Sequence, residues 1–187
     1  MKKTKEAVKK KYNCENKNRI RQLIVDEIRK RDIKNILALE SPEFLFSKLL
    51  PDKKIVVFEN DADTMKKLEK KCPKNVNLVW GNIHKFGVLN AKTDCIWLDF
   101  IGTWNKEQEN IVKLKETLKD TKLFILTLCL REKGYNKNTF DYYLINKIQE
   151  LTKINWKVIY GESYYDSVQM VTIILENLEG GKTKDEI

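Results

Sequence analysis

The chain has 187 residues, enough for one sizeable hydrophobic core and too few for two ordinary domains. Apolar residues make up 42% and charged residues 34%, with only 7 Gly and 3 Pro, which excludes a disordered or fibrous chain. The formal net charge is +9, and residues 1–34 hold 13 Lys/Arg against 5 Asp/Glu, so the basic character belongs to the N-terminal segment. Such a block suits phosphate contacts, because neutralising a polyanion releases counterions; it is equally what a solvated lysine-rich tail looks like.

No apolar run approaches the roughly 20 residues needed to span a bilayer, and Met1 to Lys11 lack the apolar segment of a secretory signal. A cytoplasmic protein without membrane contact is expected. Cys14, Cys72, Cys95 and Cys129 stand singly, without the spacing of a zinc site or the density of a disulfide scaffold. All four are expected to be reduced, with Cys95 and Cys129 in the core. The one histidine, His84, has no His or Cys cluster around it, so no metal site is expected.

In chain order, residues 1–15 read as a basic tail, 16–177 as one domain and 178–187 as a second tail. Ile20, Leu23, Ile24 and Ile28 recur at helical spacing between Asn16 and Arg31, with Arg19, Arg21, Arg29 and Arg31 on a basic outer face. Two strand and helix units follow: Asn35 to Leu39 feeding a helix from Pro42 to Leu50, and Lys54 to Phe58 feeding one from about Ala62 to Cys72. Ser41 before Pro42 reads as an N-cap, and Asn60 or Asp61 as the cap of the second helix.

Val76 to Trp80 is a third strand ending at Gly81, and Asp94 to Phe100 a fourth. A helix from about Lys106 to Lys119 comes next, with Asn105 and Gln108 spaced like a capping box. Lys122 to Leu130 is the longest apolar strand, as expected of a central one covered on both faces. After a helix carrying Phe140, Leu144, Ile148 and Leu151, the strands Trp156 to Tyr160 and Met170 to Leu175 have no helix between them. A connection that short predicts an antiparallel pair. The fold expected is therefore α/β: a Rossmann-like, mostly parallel sheet with helices on both faces and a C-terminal antiparallel β-hairpin.

This order of elements resembles that of class I S-adenosylmethionine-dependent methyltransferases, over roughly positions 16–177. Leu37-Ala-Leu-Glu40 looks like the end of the family's first strand, whose acid lies near the methionine part of the cofactor. Glu59, followed by Asn60, matches the acid that holds the ribose hydroxyls, and Gly81-Asn82-Ile83 resembles the Gly-Asp-Ile stretch that meets the adenine. Leu98-Asp99-Phe100-Ile101-Gly102-Thr103-Trp104 sits where the family faces the methyl group, and is similar to the Asp-Pro-Phe-Gly type of motif of some amino-nitrogen methyltransferases of RNA. A looser similarity extends to viral methyltransferase-like proteins. The family's glycine-rich turn after the first strand is replaced by Ser41-Pro42-Glu43-Phe44.

The resemblance implies S-adenosylmethionine as cofactor, held by Glu40, Ser41, Glu59, Asn60, Gly81, Asn82, Ile83 and Asp99. It implies catalysis on a nucleic acid amino group by Asp99, with Phe100 or Trp104 stacking on the ring that carries it. Arg19, Arg21, Arg29 and Arg31 are then the candidate phosphate contacts to RNA or DNA. A catalytically inactive protein of the same fold, serving as a nucleic-acid-binding or partner subunit, is the alternative that the missing glycine turn favours. Electrostatics agrees with the cofactor independently of family: in an open α/β sheet the strand ends gather at one crevice, where Glu40, Glu59 and Asp99 repel a pyrophosphate and attract a sulfonium and an ammonium. A dinucleotide-dependent dehydrogenase or P-loop enzyme has no support, since neither GxGxxG nor GxxxxGK[ST] is present.

Overall fold

In the computed structural model, residues 15–83, 92–131, 140–165 and 168–179 are described. Cys14, His84 and both expected tails, apart from Glu15, Leu178 and Glu179, lie outside them. Helix α1 (Glu15–Arg29) precedes β1 (Asn35–Ala38), β2 (Lys54–Glu59), α2 (Ala62–Glu69), β3 (Val76–Trp80) and β4 (Cys95–Asp99). Then come α3 (Trp104–Lys113), α4 (Lys115–Lys119), β5 (Leu123–Cys129), α5 (Phe140–Thr152), β6 (Trp156–Tyr165) and β7 (Gln169–Asn177).

The strands form one seven-stranded sheet in the order β3-β2-β1-β4-β5-β7-β6. The first five are parallel and β7 runs antiparallel to both β5 and β6, as the hairpin expectation required. Both hairpin strands are longer than their apolar runs, so the connection between them shrinks to residues 166–168. The sheet grows outward in both directions from the β1–β4 pair, and that reversal opens a crevice beyond the strands' carboxyl ends.

Alternation along the central strands sorts the core into two layers. Leu37, Ile96, Leu98, Phe124 and Leu126 face one layer with Ile111, Leu118, Leu144 and Ile148 of α3, α4 and α5. Ile36, Ala38, Cys95, Trp97 and Ile125 face the other with Ile20, Ile24, Val25 and Ile28 of α1. All seven residues of β5 are buried, and Cys95 and Cys129 are buried free thiols. Burial and the neighbouring Asp94 push the Cys95 thiol well above its ordinary value.

Two local expectations fail, each because tertiary burial outweighs propensity. No α-helix spans Pro42–Leu50, and Ser41 caps nothing; the segment is a series of turns ending in a 3-10 turn at Ser47–Leu49. Phe44 sits at φ 50°, in the left-handed region that no α-helix contains. Its ring is buried with Met65 and Leu68 of α2, while Phe46, two residues on, is buried in the α1 layer against Trp97 at 4.4 Å between ring centroids. A short helix is marginal by itself, and the burial of the two rings together with the hydrogen bonds that Glu40 accepts from the Phe46 and Ser47 N–H groups outweighs it. The expected capping box is likewise absent: α3 begins at Trp104, with Thr103 at its N-cap accepting through its backbone oxygen from Lys106 and Glu107.

Candidate functional site

A cleft of about 480 Å³ lies at the carboxyl ends of β1, β2, β3 and β4, of the size expected for a small-molecule site. Its lining includes Glu40, Ser41, Glu59, Asn60, Gly81, Asn82, Ile83, Asp99 and Phe100, from four separate stretches of sequence. Of the residues expected at cofactor and substrate, only Trp104 is elsewhere: it is 2% exposed, packed in the α3 layer, and cannot offer a stacking face. Starting the helix at Trp104 turns its ring inward, which corrects the expectation that it would line a pocket.

At one end of the cleft, Oε1 of Glu59 accepts from the backbone N–H of Asn60 and of Asp61, both at 2.8 Å. That ties the carboxylate to the turn, while its Oε2 makes no hydrogen bond among the described residues. Asp61 in turn caps α2 by accepting from the Thr64 N–H at 2.8 Å. Asn60 Nδ2 donates to Asn82 Oδ1, linking the β2 and β3 ends. Gly81 N–H donates to the Glu59 carbonyl at 3.0 Å with φ 141°, a backbone setting that a side chain would strain. Beneath this end lie the apolar side chains of Phe58 and Ile83, both buried.

In the middle of the cleft, Glu40 does a job no sequence signal pointed to. Its Oε1 accepts from the N–H of Phe46 at 2.8 Å and of Ser47 at 3.1 Å, and its Oε2 accepts from the Ser47 hydroxyl. Asn75 Nδ2 closes the same segment by donating to the Leu50 carbonyl at 2.9 Å. Burial pushes the Glu40 carboxyl above its ordinary range, against the opposing pull of the Ser47 and Phe46 hydrogen bonds and of Arg21. Glu40 thus lines the cleft with both oxygens engaged, holding the segment that replaces a glycine turn.

On the opposite side, β4 ends in an exposed Asp99, followed by the buried Phe100 and by Ile101, which is 95% exposed. Phe100 N–H donates to the Thr127 carbonyl at 3.1 Å and Cys129 N–H to the Gly102 carbonyl at 2.9 Å, which fixes this loop on β5. A β-carbon on Gly102 would lie 2.1 Å from Oε1 of Glu107, so glycine lets that side chain fold over the loop. Asn110 donates to the other oxygen of Glu107 at 2.9 Å, and both residues line the cleft.

The basic residues of α1 and of the turn that follows it divide. Arg31 donates to Glu27 at 2.7 Å and to Glu176 at 2.8 Å, and Arg19 is paired with Glu162, so both serve the docking of α1. Arg29 donates to the Leu49 carbonyl at 2.9 Å. Arg21 alone of the four lines the cleft, together with Lys17 one turn earlier. Lys17, Glu107, Asn110, Met170 and Phe58 were missed as cleft residues; the four-residue spacing of Lys17 and Arg21 was the one available signal. Among the described residues, no group of three or more His, Cys, Asp or Glu side chains has an arrangement that could hold a metal ion. No described helix is long and apolar enough to cross a membrane.

No protein-family model and no curated protein sequence matches the chain. Solved structures do. A candidate tRNA methyltransferase from Streptococcus pneumoniae, solved with S-adenosyl-L-methionine, superposes with a TM-score of 0.64 at 9% identity, over 90% of this chain and 76% of that one. The chain has the fold of the class I methyltransferases. A chain of the fibrillarin/Nop5p complex gives a TM-score of 0.62 at 12% identity, over 84% of this chain and 81% of that one. A precorrin-6y C5,15-methyltransferase from Geobacter metallireducens gives 0.58 at 14%, over 86% and 89%. Within this fold the cleft occupies the crevice outside the strand ends, the general ligand position of open α/β sheets.

Proposed function

We propose that this protein transfers a methyl group from S-adenosylmethionine to an amino nitrogen of a nucleic acid. The observation that carries the reading is the meeting, in one cleft, of Glu59, the Asn60–Asn82 pair and Asp99 from three strand ends. Glu59 keeps one carboxylate oxygen for the hydroxyls of a ribose, and Phe58 and Ile83 supply an apolar bed beside it for a base. The same cleft suits a pyrophosphate poorly. Its carboxylates repel phosphate, and Glu40 already consumes the Phe46 and Ser47 N–H groups that a phosphate would need. Similarity in fold to proteins titled as methyltransferases, one of them a candidate tRNA enzyme, supports the assignment.

The cofactor supplies an activated methyl carbon; the protein's part is to place the nucleophile in line and exclude water. Asp99, exposed at the end of β4, would accept a hydrogen bond from the amino group, turn its lone pair toward the methyl and receive the proton released. With Trp104 in the core, the apolar contact to the substrate ring falls to Phe100 and the exposed Ile101. Titration calorimetry with S-adenosylmethionine and its demethylated product tests the binding step, and labelled methyl transfer to pooled DNA and RNA tests the reaction. Absence of binding to either compound would overturn the reading.

One observation favours a second reading, a non-catalytic protein of this fold: the turn after β1 carries the bulky Phe44 at positive φ where a glycine turn would approach a ligand closely. Cofactor binding without transfer to any nucleic acid would favour it.

A further inference from the structure

We propose that Lys17 and Arg21, projecting into the cleft from the N-terminal helix, form the seat of the methionyl carboxylate of S-adenosylmethionine, an inference that rests on the cofactor reading above. The first turns of α1 stand at the ligand edge of the sheet: Asn16 Nδ2 donates to the Tyr165 carbonyl at 2.8 Å, at the end of β6, and Arg19 is held by Glu162. Lys17 and Arg21 are four residues apart and so share one face of the helix. Arg19, between them, is turned to β6 instead. Both residues of the pair are half-buried, and Asn18 Oδ1 accepts from Arg21 at 2.7 Å, aligning the guanidinium.

Charge balance assigns the pair its role. The described lining of the cleft carries four carboxylates, Glu40, Glu59, Asp99 and Glu107, and its cations are Lys17 and Arg21. The cofactor carries a sulfonium and an ammonium, which the carboxylates attract, and a single anionic group, which they repel. Of the backbone N–H groups after β1, those of Phe46 and Ser47 are already taken by Glu40 and offer no seat for an anion. Arg21 lines the cleft within charge range of Glu40, just after β1. A planar guanidinium reinforced by a lysine is a fitting receptor for a carboxylate there. The pair thus takes over the work of the absent glycine turn, from a different element.

The test is equilibrium binding to the full chain of S-adenosylmethionine and of decarboxylated S-adenosylmethionine, which lacks only that carboxylate. The parent should bind the intact cofactor about ten- to a hundredfold more tightly, and Arg21→Gln with Lys17→Gln should erase that preference while leaving the decarboxylated compound's affinity unchanged. Arg21→Lys should restore part of it, and an unchanged unfolding midpoint shows that each variant is folded. Equal binding of both compounds by the parent, or an unaltered preference in the double variant, would overturn the inference alone. Loss of nucleic acid binding with the preference intact would overturn it too, making the pair a phosphate contact. A parent that binds neither compound would overturn the cofactor reading itself.

Discussion

Glu40→Ala removes the acceptor on which the Ser41–Leu50 segment hangs. Two backbone N–H groups, of Phe46 and Ser47, lose their partner along with the Ser47 hydroxyl, and both residues are 0% exposed, so only water entering from the cleft at the vacated Glu40 position can replace part of what is lost. An orphaned buried donor costs about 1–3 kcal/mol. Relief of a half-buried carboxylate returns part of this, because burial disfavours its charged form. The expected net loss is about 3 kcal/mol, or roughly 6–12 °C in the unfolding midpoint of a chain this size. Glu40→Gln keeps a carbonyl for the two amides and should lose far less. The raised carboxyl also sets a sign. Its ionisation works against folding as pH rises from the ordinary glutamate value of 4.5 through the folded-state value, so Glu40→Gln should gain on the parent with rising pH. Thermal and urea unfolding followed by circular dichroism measure all three. A Glu40→Ala variant within about 0.5 kcal/mol of the parent would refute the anchoring role.

Glu59→Ala should weaken binding of the demethylated cofactor by about 1–3 kcal/mol in calorimetry, as expected for a lost hydrogen bond to a carboxylate. Asp99→Ala should leave that affinity and the unfolding midpoint nearly unchanged while slowing labelled-methyl transfer on the order of a hundredfold or more. At the far end of the sheet, Oδ2 of Asp94 accepts from the N–H groups of Lys34 and Asn35, both at 2.9 Å. Burial pushes that carboxyl up, but these bonds and Lys122 outweigh it and hold it below the ordinary value of 3.8. Asp94→Asn should therefore cost about 1–2 kcal/mol at neutral pH, and the gap should close as pH falls below that value, read from unfolding at a series of pH values.

Strand positions, the antiparallel hairpin and the cleft residues Glu59, Asn82 and Asp99 were legible from the chain alone. Each depends on a short-range signal: an apolar run bounded by polar turns, a connection too short for a crossover, a polar residue closing a strand whose end must lie at the sheet's carboxyl edge. Those signals carry no information about what a side chain meets from a distant stretch. Only the assembled structure decided that Phe44 would take a left-handed backbone setting where a helix was expected, and that Glu40 would fold back onto the segment after it. The same holds for Arg31, whose partner Glu176 is 145 residues away, and for Trp104, whose inward turn follows from where α3 begins. Helical periodicity shows that α1 has an apolar stripe and a basic surface, yet the way the helix docks on the sheet selects which cations meet carboxylates and which face the cleft. Local backbone preference sets the period of an element, whereas burial and charge pairing across the chain set its orientation, and at this site orientation separates Lys17 and Arg21 from Arg19 and Arg31.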